Sequence, residues 1–90
     1  MGPYAATSRR MRTQVEPKVN SANPNDRLDA VKSLRSELID SVRREPEGRS
    51  SPIQLSGLPL LERLARDTNR QVRVAASYAL GDIRTARRGA

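Results

Sequence analysis

Leu58-Pro59-Leu60-Leu61-Glu62-Arg63-Leu64-Ala65-Arg66-Asp67-Thr68-Asn69-Arg70-Gln71-Val72-Arg73-Val74-Ala75-Ala76-Ser77-Tyr78-Ala79-Leu80-Gly81-Asp82-Ile83 is the stretch on which the fold turns. Leu58, Leu60, Leu61, Leu64 and Ala65 recur at helical spacing, Asp67-Thr68-Asn69 breaks the pattern, and Val72, Ala75, Ala76, Ala79, Leu80 and Ile83 resume it. At about 100° per residue the second set falls within an arc of about 140°, the apolar stripe of a helix that buries one face. Its three alanines allow another helix to approach closely. The stretch reads as two amphipathic helices joined by a short polar turn, the last helix running from about 70 to 84.

Upstream, Ser51-Pro52-Ile53-Gln54 is a helix start: Ser51 caps, Pro52 suits the first position, and Gln54 completes a capping box. Leu55 joins the leucines that follow on the apolar stripe, but Gly57 and Pro59 interrupt them. Two forms fit: a short turn before a helix from about 57, or one helix over 52–67 that bends at Pro59. A second start lies at Asn23-Pro24-Asn25-Asp26, with Asn23 as cap and Asp26 placed to favour the helix dipole. Leu28, Val31, Leu34, Leu38, Ile39 and Val42 then predict a helix over 24–44. Pro46, Gly48, Ser50 and Ser51 separate the two as a loop. The expected architecture is all-α: a disordered basic tail over 1–23, a helical domain over 24–84, and a basic tail over 85–90.

The chain of 90 residues is long enough for one small domain. It has no Cys and no His, which removes disulfides, the usual zinc ligands, the commonest general acid/base and any Ser–His or Cys–His nucleophile pair. No metal and no cofactor is expected. No apolar run approaches the ~20 residues of a membrane span, and Ala6 stands where a myristoylation motif needs Ser or Thr. A cytoplasmic protein without membrane contact is the expectation. The net charge of +7 sits mostly at the ends: +3 over 1–23, +3 over 84–90, and +1 over the 60 residues between. A nucleic-acid groove would carry its charge on the folded face instead.

The ordered set of leucines, Asp67, Val72-Arg73 five residues later, then Ala76, Ala79-Leu80-Gly81 and Ile83 resembles one unit of the HEAT-repeat family, helical hairpins that stack into solenoids. The resemblance covers about a third of the chain. An armadillo-like hairpin or an unrelated helical bundle is the alternative. HEAT-type first helices often kink at a proline, which favours the bend at Pro59. The resemblance implies that Asp67 and Arg73 make polar ladder contacts within and between repeats, and that Val72, Ala76 and Leu80 complete a structural signature. A shift of 46 residues sets Arg27 on Arg73, Ala30 on Ala76 and Leu34 on Leu80. Residues 24–44 are then the second helix of a degenerate preceding repeat, giving about one and a half repeats. About three repeats are usually needed for a stable solenoid. Three architectures follow: a compact three-helix domain, a self-associating hairpin, or a piece that completes a larger solenoid.

The function expected is a non-enzymatic protein-interaction module or scaffold, with a protein partner or a second copy bound. In this family the second helix of each hairpin lines the inner surface, which makes Arg70, Gln71, Val74 and Tyr78 the candidate contacts. Tyr78 is the sole aromatic of the folded part, an amphipathic residue suited to anchor an interface. The alternative is nucleic-acid or ribosome binding through Arg9, Arg10, Arg12, Arg84, Arg87 and Arg88, each phosphate contact adding salt dependence. A third reading, a subunit resembling the bilin lyases, rests on family likeness alone. No nucleophile–base pair or phosphate loop supports catalysis, and no catalytic residue is assigned.

Overall fold

A computed structural model of the protein describes residues 14–45 and 52–89, of which Pro52, Ile53 and Gly89 are described in backbone only. Arg9, Arg10, Arg12, Pro46, Gly48 and the Ser51 cap lie outside the described residues. Four helices form, α1 (Glu16–Val19), α2 (Pro24–Arg44), α3 (Pro52–Leu64) and α4 (Arg70–Gly89), and no strand occurs among the described residues. The fold is all-α.

Helix α2 starts as its sequence dictates. Asn23 is extended, its side chain accepts from the Asn25 N–H at 2.9 Å, and Pro24 takes the first position. Asp26 accepts from the Ser21 hydroxyl at 2.8 Å. Ala30, Val31, Leu34, Leu38 and Val42 are buried, while Leu28 and Ile39 flank them half-buried.

The segment before α2 departs from the expected tail. Glu16–Val19 is helical, and Val15 and Val19, one turn apart, are both 3% exposed. This short helix packs on α2 and touches α3. Two valines four residues apart make a stripe too short for a periodic signal, yet long enough to seal one edge of the core.

Helix α3 is a single helix that runs through Pro59. The buried positions are Gln54, Gly57, Leu61 and Leu64, so Leu55, expected on the apolar stripe, is instead 67% exposed. Gln54 takes the inward place because its polar atoms are satisfied there. Its Nε2 donates to the buried Ser41 hydroxyl at 3.1 Å, and its Oε1 accepts from the Arg87 Nη2 at 3.1 Å. Gly57 allows α3 to press against α2: a Cβ there would lie 3.2 Å from Leu38 Cδ2 and 3.4 Å from Leu34 Cδ2.

Helix α3 ends at Leu64, about one turn before the expected 67, because the chain tightens there. Arg66 N–H bonds to the Arg63 carbonyl at 3.0 Å and Asp67 N–H to the Leu64 carbonyl at 3.1 Å, the three-residue closure common at helix ends. Asn69 then caps α4, its side chain accepting from the Val72 N–H at 3.1 Å. Helix α4 does not end at 84 but continues to Gly89, with Ala86 packed against the core. The expected basic tail is a helical turn.

The cross-links give the directions. Arg27 and Asp67 join the starts of α2 and α4, Arg35 and Asp82 join their middles, and Gln54 at the start of α3 meets Ser41 and Arg87 at the ends of the other two. Helices α2 and α4 therefore run parallel, with α3 antiparallel to both. Leu34, Leu38, Leu61, Leu64 and Val72 form the centre of one hydrophobic core.

Candidate interaction surface on the last helix

The α3–α4 turn is held by a carboxylate. Asp67 accepts from Arg27 in a two-pronged contact, Nε to Oδ2 at 2.8 Å and Nη2 to Oδ1 at 3.1 Å. It also accepts from the Asn69 N–H at 2.8 Å, closing its own turn. The third arm of Arg27, Nη1, donates to the Ser21 carbonyl at 2.9 Å, tying the segment before α2 to the same cluster. The two side chains are 15% and 11% exposed. Burial by itself would raise the Asp67 carboxyl, but the Arg27 hydrogen bond, the Asn69 N–H and the positive charges of Arg27 and Arg73 outweigh it. Its pKa lies below the ordinary carboxylate value.

Arg73, expected with Asp67 to make polar ladder contacts, bonds to the Asp67 backbone: Nη1 donates to its carbonyl at 3.1 Å and the side chain is exposed. The carboxylate belongs to Arg27, which the site residues inferred from sequence omitted. The signal that leads to it is the 46-residue shift that superposes Arg27 on Arg73. Of the remaining signature residues, Val72 and Ala76 are buried and Leu80 is half-buried against the core.

With one side of α4 packed inward, the other is laid out by helical spacing. Arg70, Gln71, Val74 and Tyr78 are all exposed, Val74 at 42% and Tyr78 at 72%. Val74 and Tyr78 are one turn apart and stand side by side. With Arg73, Ser77 and Ala65 they line a shallow depression of about 450 Å³. Two hydroxyls on this face are turned back on the helix, Ser77 to the Arg73 carbonyl at 2.9 Å and Thr85 to the Gly81 carbonyl at 3.0 Å.

The arginines assigned to a C-terminal tail also sit on α4. Arg84 and Arg88 are exposed on the same side as Arg70 and Arg73, whereas Arg87 turns to Gln54. Helical geometry sets Arg70, Arg73, Arg84 and Arg88 within an arc of about 60° and over a length of about 27 Å. The basic character is thus partly a stripe on a folded face, which the division of charge between middle and ends had hidden. The only acid on α4, Asp82, is bonded to Arg35 at 2.9 Å.

Among the described residues no group of three metal-ligating side chains stands together, and no helix is long and apolar enough to cross a membrane. No family model matches the chain, and neither a curated protein nor a solved structure matches it.

Proposed function

We propose that this chain is a non-enzymatic protein-interaction module, built as a HEAT-like unit of about one and a half repeats, that binds its partner on the outward face of α4. The observation that carries the proposal is the exposed pair Val74 and Tyr78 beside a depression on an otherwise charged helix. An exposed tyrosine beside a depression is among the favoured anchors of an interface, as a lone exposed leucine such as Leu55 is not. The HEAT-like reading is supported by the parallel run of α2 and α4 and by the bond from Arg27 to the turn acid Asp67, 40 residues away.

Nucleic-acid binding is the second reading, favoured by the alignment of Arg84 and Arg88 with Arg70 and Arg73 on one folded face.

The test is a photo-reactive amino acid placed at Tyr78 in the intact chain and activated in the cells that make it, with the same probe at the equally exposed Leu55 as control. The proposal expects a protein adduct from position 78 and none from position 55. Adducts to nucleic acid at 78, or identical adducts from both positions, would refute it.

A further inference from the structure

We infer that the outward face of α4 receives an acidic protein segment that carries an apolar anchor. This rests on the reading of that face as a protein-binding surface and adds the chemistry of the occupant.

Charge complementarity is the first ground. Arg70, Arg73, Arg84 and Arg88 are exposed on one side of α4 and form no ion pair among the described residues, where the carboxylates of Asp67, Asp82 and Asp40 go to Arg27, Arg35 and Arg44. Helix stability does not account for all four. Cations in the last turn favour the helix dipole, so Arg88 has a local reason to be there, while Arg84 stands one turn further in. Arg70 and Arg73 occupy the first turn, which contains no acid, and there a cation opposes the dipole. Arg73 is tied to the Asp67 carbonyl, but Arg70 stands against the helix's own field with no ion pair among the described residues, which leaves the start of α4 attractive to carboxylates.

Geometry is the second ground. The two arginine pairs are about 22 Å apart along the axis; Ser77 and Gly81 occupy the space between them, with Val74 and Tyr78 along its edge. A Cβ at Gly81 would meet nothing within 4 Å, so this stretch of the face is open. The depression beside Val74 and Tyr78 has room for a large side chain. A nucleic-acid duplex offers phosphates but no apolar knob to fill it. A second copy of this chain would set arginine against arginine, and the outward side of α2 offers a mixture, with Arg35, Asp40 and Arg43 around one groove. A segment with Asp or Glu toward both ends and a Leu-like or aromatic residue between them satisfies both features.

The experiment is selection from a random library of displayed 20-residue peptides on the intact chain, followed by anisotropy titration of the selected peptides at low and physiological salt. The expected peptides carry acidic residues on both sides of a large apolar residue. They bind more weakly as salt rises, lose at least tenfold in affinity to the double variant Arg70→Glu, Arg84→Glu, and lose as much to Tyr78→Ala. All three positions are exposed, and circular dichroism checks that the variants keep their helices; Arg70→Lys, Arg84→Lys should retain most of the binding. Peptides without acidic enrichment, or indifferent to the arginine variants, overturn the inference; if Tyr78→Ala still abolishes their binding, the protein-binding surface itself stands. Peptides indifferent to every variant, or no selected peptide at all, overturn both. So does a 20-base-pair DNA or RNA duplex that binds more tightly than the peptides and loses that binding on the arginine variants, since the face then serves nucleic acid.

Discussion

Arg27 and Asp67 are the residues that tie the most of this molecule together. One guanidinium joins the turn before α4, the start of α2 and the segment before it. Asp67→Asn keeps the shape and removes the charge, leaving a largely buried cation without its counterion. The expected cost is about 2 kcal/mol in denaturant unfolding. Because the folded pKa of Asp67 is depressed, its contribution is fully present above the unfolded value of about 3.9 and is lost as the pH falls through the lower folded value. The intact chain should therefore gain stability with rising pH across that acid window, and Asp67→Asn should flatten this part of the profile. Gly57 and Gly81, each inside a helix, give a second residue-scale prediction. Gly81→Ala meets open space and should stabilise by up to about 1 kcal/mol through helix propensity. Gly57→Ala gains the same propensity but drives a Cβ to 3.2 Å from the buried Leu38, and should fall below Gly81→Ala by at least about 1 kcal/mol. Asp67 was legible as a turn residue because turn chemistry is local. Its partner was not, since a pairing across 40 residues leaves no local mark.

The elements differ in how openly the sequence declares them. Helix α2 appears where Asn23-Pro24 and a sustained apolar stripe put it. In α3 the leucine count misleads: a buried Gln54 and Gly57 hold inward positions while Leu55 faces out. Periodicity ranks residues by polarity alone, and cannot see that Ser41 and Arg87 satisfy Gln54. Leu55→Ala should accordingly shift stability by no more than about 0.5 kcal/mol, whereas Leu61→Ala should cost about 2–5 kcal/mol. Helix α1 was hidden by its shortness. Val19→Ala is expected to cost about 1–2 kcal/mol in thermal or denaturant unfolding; no measurable change would mean that residues 14–19 lie outside the cooperative unit. The extra length of α4 has a plain cause, since Ala86 still packs inward and Arg87 has a buried acceptor. The candidate contacts Arg70, Gln71, Val74 and Tyr78 did fall together, because spacing along one helix determines which residues share a side.

At the scale of the whole molecule, α1 to α3 and the inward side of α4 make one core, and the outward side of α4 is exposed. A small domain of this size buries only about 60–65% of its unfolded surface, so the closing contacts by Val15, Val19 and the Arg27–Asp67 pair decide whether it stands alone. We propose that it does, with the proposed binding face open in the free protein and guarded from self-association by its own arginines. Arg70→Glu separates the two halves of that claim: it relieves a cation at a helix start, so the fold should be as stable or slightly more so, by about 0.5 kcal/mol, while partner binding weakens. The most direct test is sedimentation equilibrium of the intact chain from micromolar to hundreds of micromolar, with thermal unfolding followed by circular dichroism at the same concentrations. The account predicts a helical monomer with one cooperative transition independent of concentration. An oligomer that grows with concentration, or a chain that becomes helical only on associating, would contradict it by showing that the open side of the helices is needed to complete the fold.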